Sequence, residues 1–277
     1  MKVSVCYVVR FPARDSSKAL GDLRRFMESY KKYSAGADHD LYILVKGPGV
    51  ERHLTYVLKE LPESTGLIWA PDFGYDLGSY TLFAQNFALG YMFVLNQHSE
   101  ILRSNWLNYY TQLIRDEGAE LVGTTASLSS LADPYFPPVL NLNLMNLALR
   151  VIRKITSLRF RWRFDSFPNP HIRTNAILVK TSVWLSYFQG RSFKSKIHCY
   201  EAESGKDSFF NFICRSKTKA RLVRGDRLSL GYWGDWKGAV PFRNEHQNLL
   251  IIADNHTRYF NKMPLWKKTI AQKETWR

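Results

Sequence analysis

A chain of 277 residues that is 45% hydrophobic can bury a sizeable core, which excludes disorder as its resting state. Its 39 Lys and Arg against 24 Asp and Glu give a formal net charge of +15, so an anionic partner is expected: nucleotide phosphates, acidic lipid headgroups or nucleic acid. Cys6, Cys199 and Cys214 are odd in number and share no CxxC spacing, which argues against a complete disulfide framework and for a reducing compartment.

In chain order, a β-branched run predicts a strand over 3–9. Leu20, Leu23, Phe26, Met27 and Tyr30 then recur at helical spacing within 16–33. A second strand is predicted over 41–45, ended by Gly47-Pro48-Gly49, and a helix over 50–61 ahead of Pro62. Strand 67–70, helix 77–87 and the fully apolar strand 91–95 follow, then a helix over 106–114 and a strand over 120–125. This alternation predicts a parallel sheet wrapped by crossover helices. The segment 1–130 would be a nucleotide-binding half, and 167–277, resuming with a strand over 176–180, an acceptor-side half of one domain spanning 1–277.

Between 134 and 164 there are six basic residues and no acidic one. Leu144, Ala148, Val151, Ile155 and Leu158 share one helical face, and 159–164 alternates basic with aromatic residues. A basic amphipathic insertion at 134–166 is therefore expected, either lying in the headgroup layer of an anionic membrane over 144–164 or packing its apolar face on the body. The C-terminal tail over 263–277, basic and carrying Trp266 and Trp276, reads as a second surface anchor or a frayed end. No apolar run is long enough to cross a membrane, and Arg10 and Pro12 interrupt the first strand too early for a secretory signal, so a cytoplasmic, peripheral location is expected.

Ligands of open α/β sheets bind beyond the carboxyl ends of the strands, which draws attention to Asn96-Gln97-His98 after the fourth strand. This segment, with Tyr91 to Leu95 before it and Trp106 after it, resembles the corresponding strand end of GT-A glycosyltransferases of bacterial polysaccharide assembly, the rhamnan-synthesis-type families among them. Three further segments resemble motifs of those families in the same order. They are Asp72-Phe73-Gly74-Tyr75-Asp76-Leu77-Gly78-Ser79-Tyr80, the strand lead-in His171-Ile172-Arg173-Thr174-Asn175, and Tyr200-Glu201-Ala202-Glu203-Ser204-Gly205. An ending at Asp254-Asn255-His256-Thr257-Arg258-Tyr259 is similar too.

The resemblance implies a GT-A-like α/β fold and transfer of a sugar from a nucleotide-sugar donor to a polysaccharide or lipid-linked acceptor in cell-surface polysaccharide synthesis such as O-antigen or capsule, on the inner face of the plasma membrane. Arg10, Gly74, Asp76, Gly78, Asn96, Gln97 and His98 would hold the donor. Arg173, Thr174, Asn175, Ser204, Trp233 and Arg258 would line the acceptor side or the mouth. An inverting transferase needs one carboxylate to take the acceptor proton, which makes Glu203 the candidate base and Glu201 its alternate. Relatives carry a metal-binding Asp-x-Asp where this chain has Asn96-Gln97-His98, a poor site for Mg²⁺ or Mn²⁺. Metal-independent transfer is therefore expected, with basic groups or helix amides neutralising the leaving diphosphate. Local structure explains several of these residues without a ligand, Asp76 as a helix N-cap and Glu201, Glu203 and Ser204 as first-turn residues. Two alternatives therefore stand: an inactive scaffold and, with no recognisable binding motif to support it, a nucleic-acid-binding protein. Specific nucleic-acid recognition is not expected.

Overall fold

The computed structural model describes residues 1–136, 144–216 and 218–277; within the helix that follows the first gap, the side chains at 144–147, 149, 150 and 153 are outside the description. The first half alternates as the apolar pattern dictates: β1 (Val3–Arg10), α1 (Ser17–Lys32), β2 (His39–Lys46), α2 (Val50–Glu60), β3 (Gly66–Trp69), α3 (Tyr75–Asn86) and β4 (Tyr91–Leu95). There follow β5 (Glu100–Ile101), α4 (Trp106–Glu117), β6 (Leu121–Gly123), β7 (Ala126–Ser127), α5 (Leu144–Phe160), β8 (His171–Ile172) and β9 (Ile177–Lys180). The chain closes with α6 (Thr181–Phe188), α7 (Lys196–Ser204), α8 (Phe209–Arg215), β10 (Ala220–Val223), β11 (Ser229–Leu230), β12 (Ile252–Ala253), α9 (Asn255–Lys262) and α10 (Leu265–Trp276).

Among the described residues, eight strands form one sheet in the order β11-β10-β6-β9-β4-β1-β2-β3. The fold is the expected α/β architecture, a mostly parallel sheet flanked by helices. Period-two alternation along β1 sends Cys6 and Val8 into one apolar layer and Val3, Val5, Tyr7 and Val9 into the other, so the central strand is buried on both faces.

Two strands depart from the parallel expectation, the edge strand β11, antiparallel to β10, and the interior strand β9. β9 runs antiparallel between β4 and β6, which joins strands from both halves of the chain in one sheet. Its reversed direction brings the residues that precede it, Arg173 to Asn175, to the edge where β1 and β4 end. The tail also differs from a frayed end: Trp276 is buried and its indole N–H donates to the Phe242 carbonyl at 2.9 Å. Trp276 is thus a packing residue, and of the two tail tryptophans only Trp266 is exposed. The amphipathic helix expected over 144–158 is present as α5, and its described apolar residues face outward rather than onto the body. The part of the insertion at 137–143 lies outside the described residues.

Candidate functional site

The carboxyl ends of β1 to β4 deliver four polar side chains to one edge of the sheet: Arg10, Lys46, Asp72 just past β3, and Asn96. β9 adds Asn175, whose side-chain carbonyl accepts the Asn96 backbone N–H at 3.0 Å and the Ser99 hydroxyl at 2.9 Å. Facing this edge is α7, on which Lys196, Cys199, Tyr200 and Glu203 fall at i, i+3, i+4 and i+7 and so share one face. Between the sheet edge and that helix face lies a recess of about 210 Å³, lined by Tyr75, Asp76, Asn96, Thr174, Asn175 and Glu203 among others.

Glu203 is held in place at this recess. One of its carboxylate oxygens accepts the Thr174 hydroxyl at 2.6 Å and the Thr174 backbone N–H at 3.4 Å. It occupies the last turn of α7, an unfavourable end of the helix dipole for a negative charge, and the Thr174 donors offset that placement. The sequence suggests a position just ahead of a helix, but Glu203 lies within α7, and the next helix, α8, begins after a turn and is capped by Ser208. Deeper in, His171 is buried, and burial holds its imidazole pKa down despite the pull of Glu203; its Nδ1 lies 2.9 Å from the Asn169 carbonyl. Cys199 is driven up to about 11 by burial, which keeps its thiol protonated and unreactive.

A second, basic recess of about 530 Å³ adjoins the first through Tyr75 and Asp76 and is lined by Arg10, Lys46, Asp72, Gly74 and Lys194 as well. Lys46 went unmarked in the sequence. It is 3% exposed, and its ammonium donates to the Tyr75 carbonyl at 2.6 Å and the Ser79 hydroxyl at 2.9 Å. Burial lowers its pKa, and Asp76, 4.0 Å away, pulls back toward the charged form. Asp76 is raised by the surrounding protein even though half of its side chain faces the open recess. It is not the N-cap of α3: Gly74 takes that position with φ 73°, and Asp76 lies in the first turn. A side chain at Gly74 would be strained, because the backbone is left-handed and a Cβ would stand 3.0 Å from the Gly78 Cα. Gly78 accordingly serves this close approach and lines an adjoining groove with Phe73 and Phe193. Arg10 forms a two-pronged pair with Asp72 at 2.8 and 2.7 Å, leaving a guanidinium edge beside the opening.

Several sequence candidates are placed elsewhere. Gln97 and His98 turn inward to Asp22 on α1, at 3.1 and 2.8 Å. Burial works to raise the Asp22 carboxyl, but the bonds from His98, Gln97 and Arg25 outweigh it and hold the pKa low. With Gln97 and His98 committed to Asp22, the segment presents only Asn96 to the recess, and these side chains do not fit a divalent metal; no group of three metal-binding side chains occurs among the described residues. Glu201 leaves α7 on the side away from Glu203, because residues two apart on a helix are about 200° apart, and it pairs with Arg163 at 2.9 Å. The two glutamates therefore do not share a site. Ser204 returns its hydroxyl to the Tyr200 carbonyl, Trp233 packs at the edge of an apolar layer, and Arg258 pairs with Glu100 at 3.1 Å. None of the three lines the recess.

Arg173 lines the recess and also holds the back wall together. Its guanidinium sits 4.1 Å over the Phe242 ring and donates to Asp254 at 2.8 Å. Asp254 is 1% exposed and caps α9 in a reciprocal box with Thr257. Burial pushes its carboxyl up, but the Arg173 charge, the Thr257 amide and His256 prevail and bring it down to about 2. Through Asp254 with Arg173 and Arg258 with Glu100, the segment that opens α9 thus ties the tail to the body.

No protein-family model matches the chain, and no curated protein matches it. Similar solved structures include the 4-diphosphocytidyl-2C-methyl-D-erythritol synthase of Anaerococcus prevotii, at 13% identity and a TM-score of 0.45 over 80% of this chain and 87% of that one. Mouse xyloside xylosyltransferase 1 in its apo form is similar at 9% identity and a TM-score of 0.41, over 80% of this chain and 85% of that one.

Proposed function

We propose that the chain is a metal-independent glycosyltransferase that takes a sugar from a nucleoside-diphosphate donor and passes it, with inversion, to a hydroxyl of a glycan or lipid-linked acceptor in cell-surface polysaccharide assembly. The observation that carries this reading is the convergence of Asp76, Asn96, Thr174, Asn175 and Glu203 on one recess that opens into a basic one. Those residues are up to 127 positions apart in the chain and come from four separate motifs.

In this reading the donor diphosphate lies in the basic recess against Arg10, Lys46, Lys194 and the free amides at the start of α3. Asp76 accepts a hydrogen bond from the donor sugar or ribose. Glu203 takes the proton of the acceptor hydroxyl as that oxygen bonds to the anomeric carbon and the bond to the diphosphate breaks. Asn96 and Asn175 set the floor beneath the reacting sugar, and Thr174 keeps the Glu203 carboxylate aimed.

A thermal-shift screen against UDP, GDP, dTDP and CMP and their sugar conjugates, with Mg²⁺, Mn²⁺ or EDTA, tests it, since a ligand bound to the native state raises its apparent stability. A rise confined to one nucleotide and indifferent to EDTA is expected. No rise with any of them favours the scaffold reading, which the loss of the strand-end carboxylates supports.

A further inference from the structure

The helix α5 is built the wrong way round for a helix that belongs only to the body. Val151, Ile152, Ile155 and Leu158 are each roughly half exposed, Trp162 just beyond the helix is 69% exposed, and among the described side chains of the helix it is the small polar Ser157 that is buried. Scattered exposed apolar residues need no explanation, but the four on the helix lie at helical spacing along one stripe and Trp162 follows in the turn just past its end. Lys154, Arg159 and Arg161 flank them, all exposed, and no carboxylate occurs between 134 and 164.

The stripe runs into a recess of about 490 Å³ lined by Trp162, Arg163, Arg191 and Lys206. Its two carboxylates are already paired, Glu201 with Arg163 and Asp207 with Arg215. The recess therefore continues the positive potential of the helix.

Charge decides among the occupants that could cover this face. A second copy placed on it about a two-fold axis would bring its own Lys154, Arg159 and Arg161 against the first set. A nucleic acid would satisfy the cations and leave the aliphatic stripe wet. An anionic bilayer satisfies both, with acyl chains at the stripe and phosphates at the cations. We infer that α5 docks flat on an anionic lipid bilayer, with Val151, Ile152, Ile155, Leu158 and Trp162 at the acyl boundary and Lys154, Arg159, Arg161 and Lys206 among the headgroups.

The docking face is joined to the proposed active helix. Arg163 pairs with Glu201 on α7 and its carbonyl accepts the Lys206 N–H at 2.9 Å, while the opposite side of α7 carries Glu203. Binding to a bilayer would hold the Glu203 recess at a fixed height above it. The inference itself is independent of the chemistry in that recess.

The test is flotation of the full chain with vesicles of phosphatidylcholine alone and of a phosphatidylcholine–phosphatidylglycerol mixture, across a salt series. Binding to the mixture, weakening with salt, and little binding to the neutral vesicles are expected. Arg159→Glu with Arg161→Glu should weaken binding by about fivefold or more per charge. Ile155→Ser with Leu158→Ser should weaken it by about tenfold or more while the chain still melts cooperatively within several degrees of wild type, because both side chains are half exposed already. Equal binding to neutral vesicles, unchanged binding by either double variant, or a vesicle-free dimer that Ile155→Ser with Leu158→Ser dissolves would each overturn the inference.

Discussion

Replacing Asp254 by Asn removes a buried charge and keeps the helix cap, since Asn caps as well as Asp. The Asp254 carboxyl lies at about 2 against an ordinary 3.8, a difference worth about 2 kcal/mol at about 1.4 kcal/mol per unit. Breaking a fully buried pair typically costs about 3–5 kcal/mol. Arg173 is 14% exposed and keeps its seat over the Phe242 ring, so the lower figure of about 2 kcal/mol is the one to expect. Because the folded pKa is depressed, this stability is fully present above about pH 4 and is lost as pH falls toward 2. Urea unfolding followed by circular dichroism from pH 7 down to 2 reads both effects. The wild type should lose its advantage over Asp254→Asn across the interval from pH 4 to 2, with the slope against urea unchanged. A variant within about 0.5 kcal/mol of wild type at pH 7, or curves that stay parallel through that interval, would refute the reasoning, such surface-like values being typical of residues without a special role.

Lys46→Met should leave thermal stability equal or higher, because a buried ammonium is costly, and should weaken nucleotide binding by about 10- to 100-fold, the range of a lost charge-assisted bond, as isothermal titration would show. His98→Ala should cost about 1 kcal/mol in urea unfolding by removing one of the three donors on the Asp22 carboxylate, with Gln97 and Arg25 left in place, and should change the donor KM less than about twofold. Gly74→Ala should destabilise by about 1–3 kcal/mol from the left-handed backbone and the approach to Gly78, again by urea unfolding. Thr174→Val should lower kcat by about tenfold with the donor KM held, as a residue that aims the base and touches no donor atom would.

The strand and helix alternation of the first half was legible because its apolar runs are either continuous or spaced at 3.6 residues, and the observed elements start and stop near the Gly and Pro signals. The direction of β9 was not, since Ile177-Leu178-Val179 reads the same in a parallel or antiparallel strand; yet that direction is what brings Thr174 and Asn175 to Asn96. Polar residues at a strand end were expected to face a ligand, and Gln97 and His98 instead answer a buried carboxylate 75 and 76 positions away. The signal for that was Asp22 itself, four residues before Phe26 on the inward side of α1. Lys46 had a comparable signal, a lone cation closing an apolar strand at its carboxyl end, hidden in a chain with 39 basic residues. Glu201 and Glu203 could be separated only once α7 was known to be a helix.

The most direct test of the central claim compares wild type with Glu203→Gln in donor turnover, using the nucleotide sugar that stabilises the protein and a panel of glycan and lipid-linked acceptors. A positioned base contributes about 10²- to 10⁴-fold, so turnover should fall by that factor while the nucleotide-induced thermal shift persists. Turnover within a few-fold of wild type would contradict the assignment of Glu203 and, with it, the reading of the recess as a transferase site.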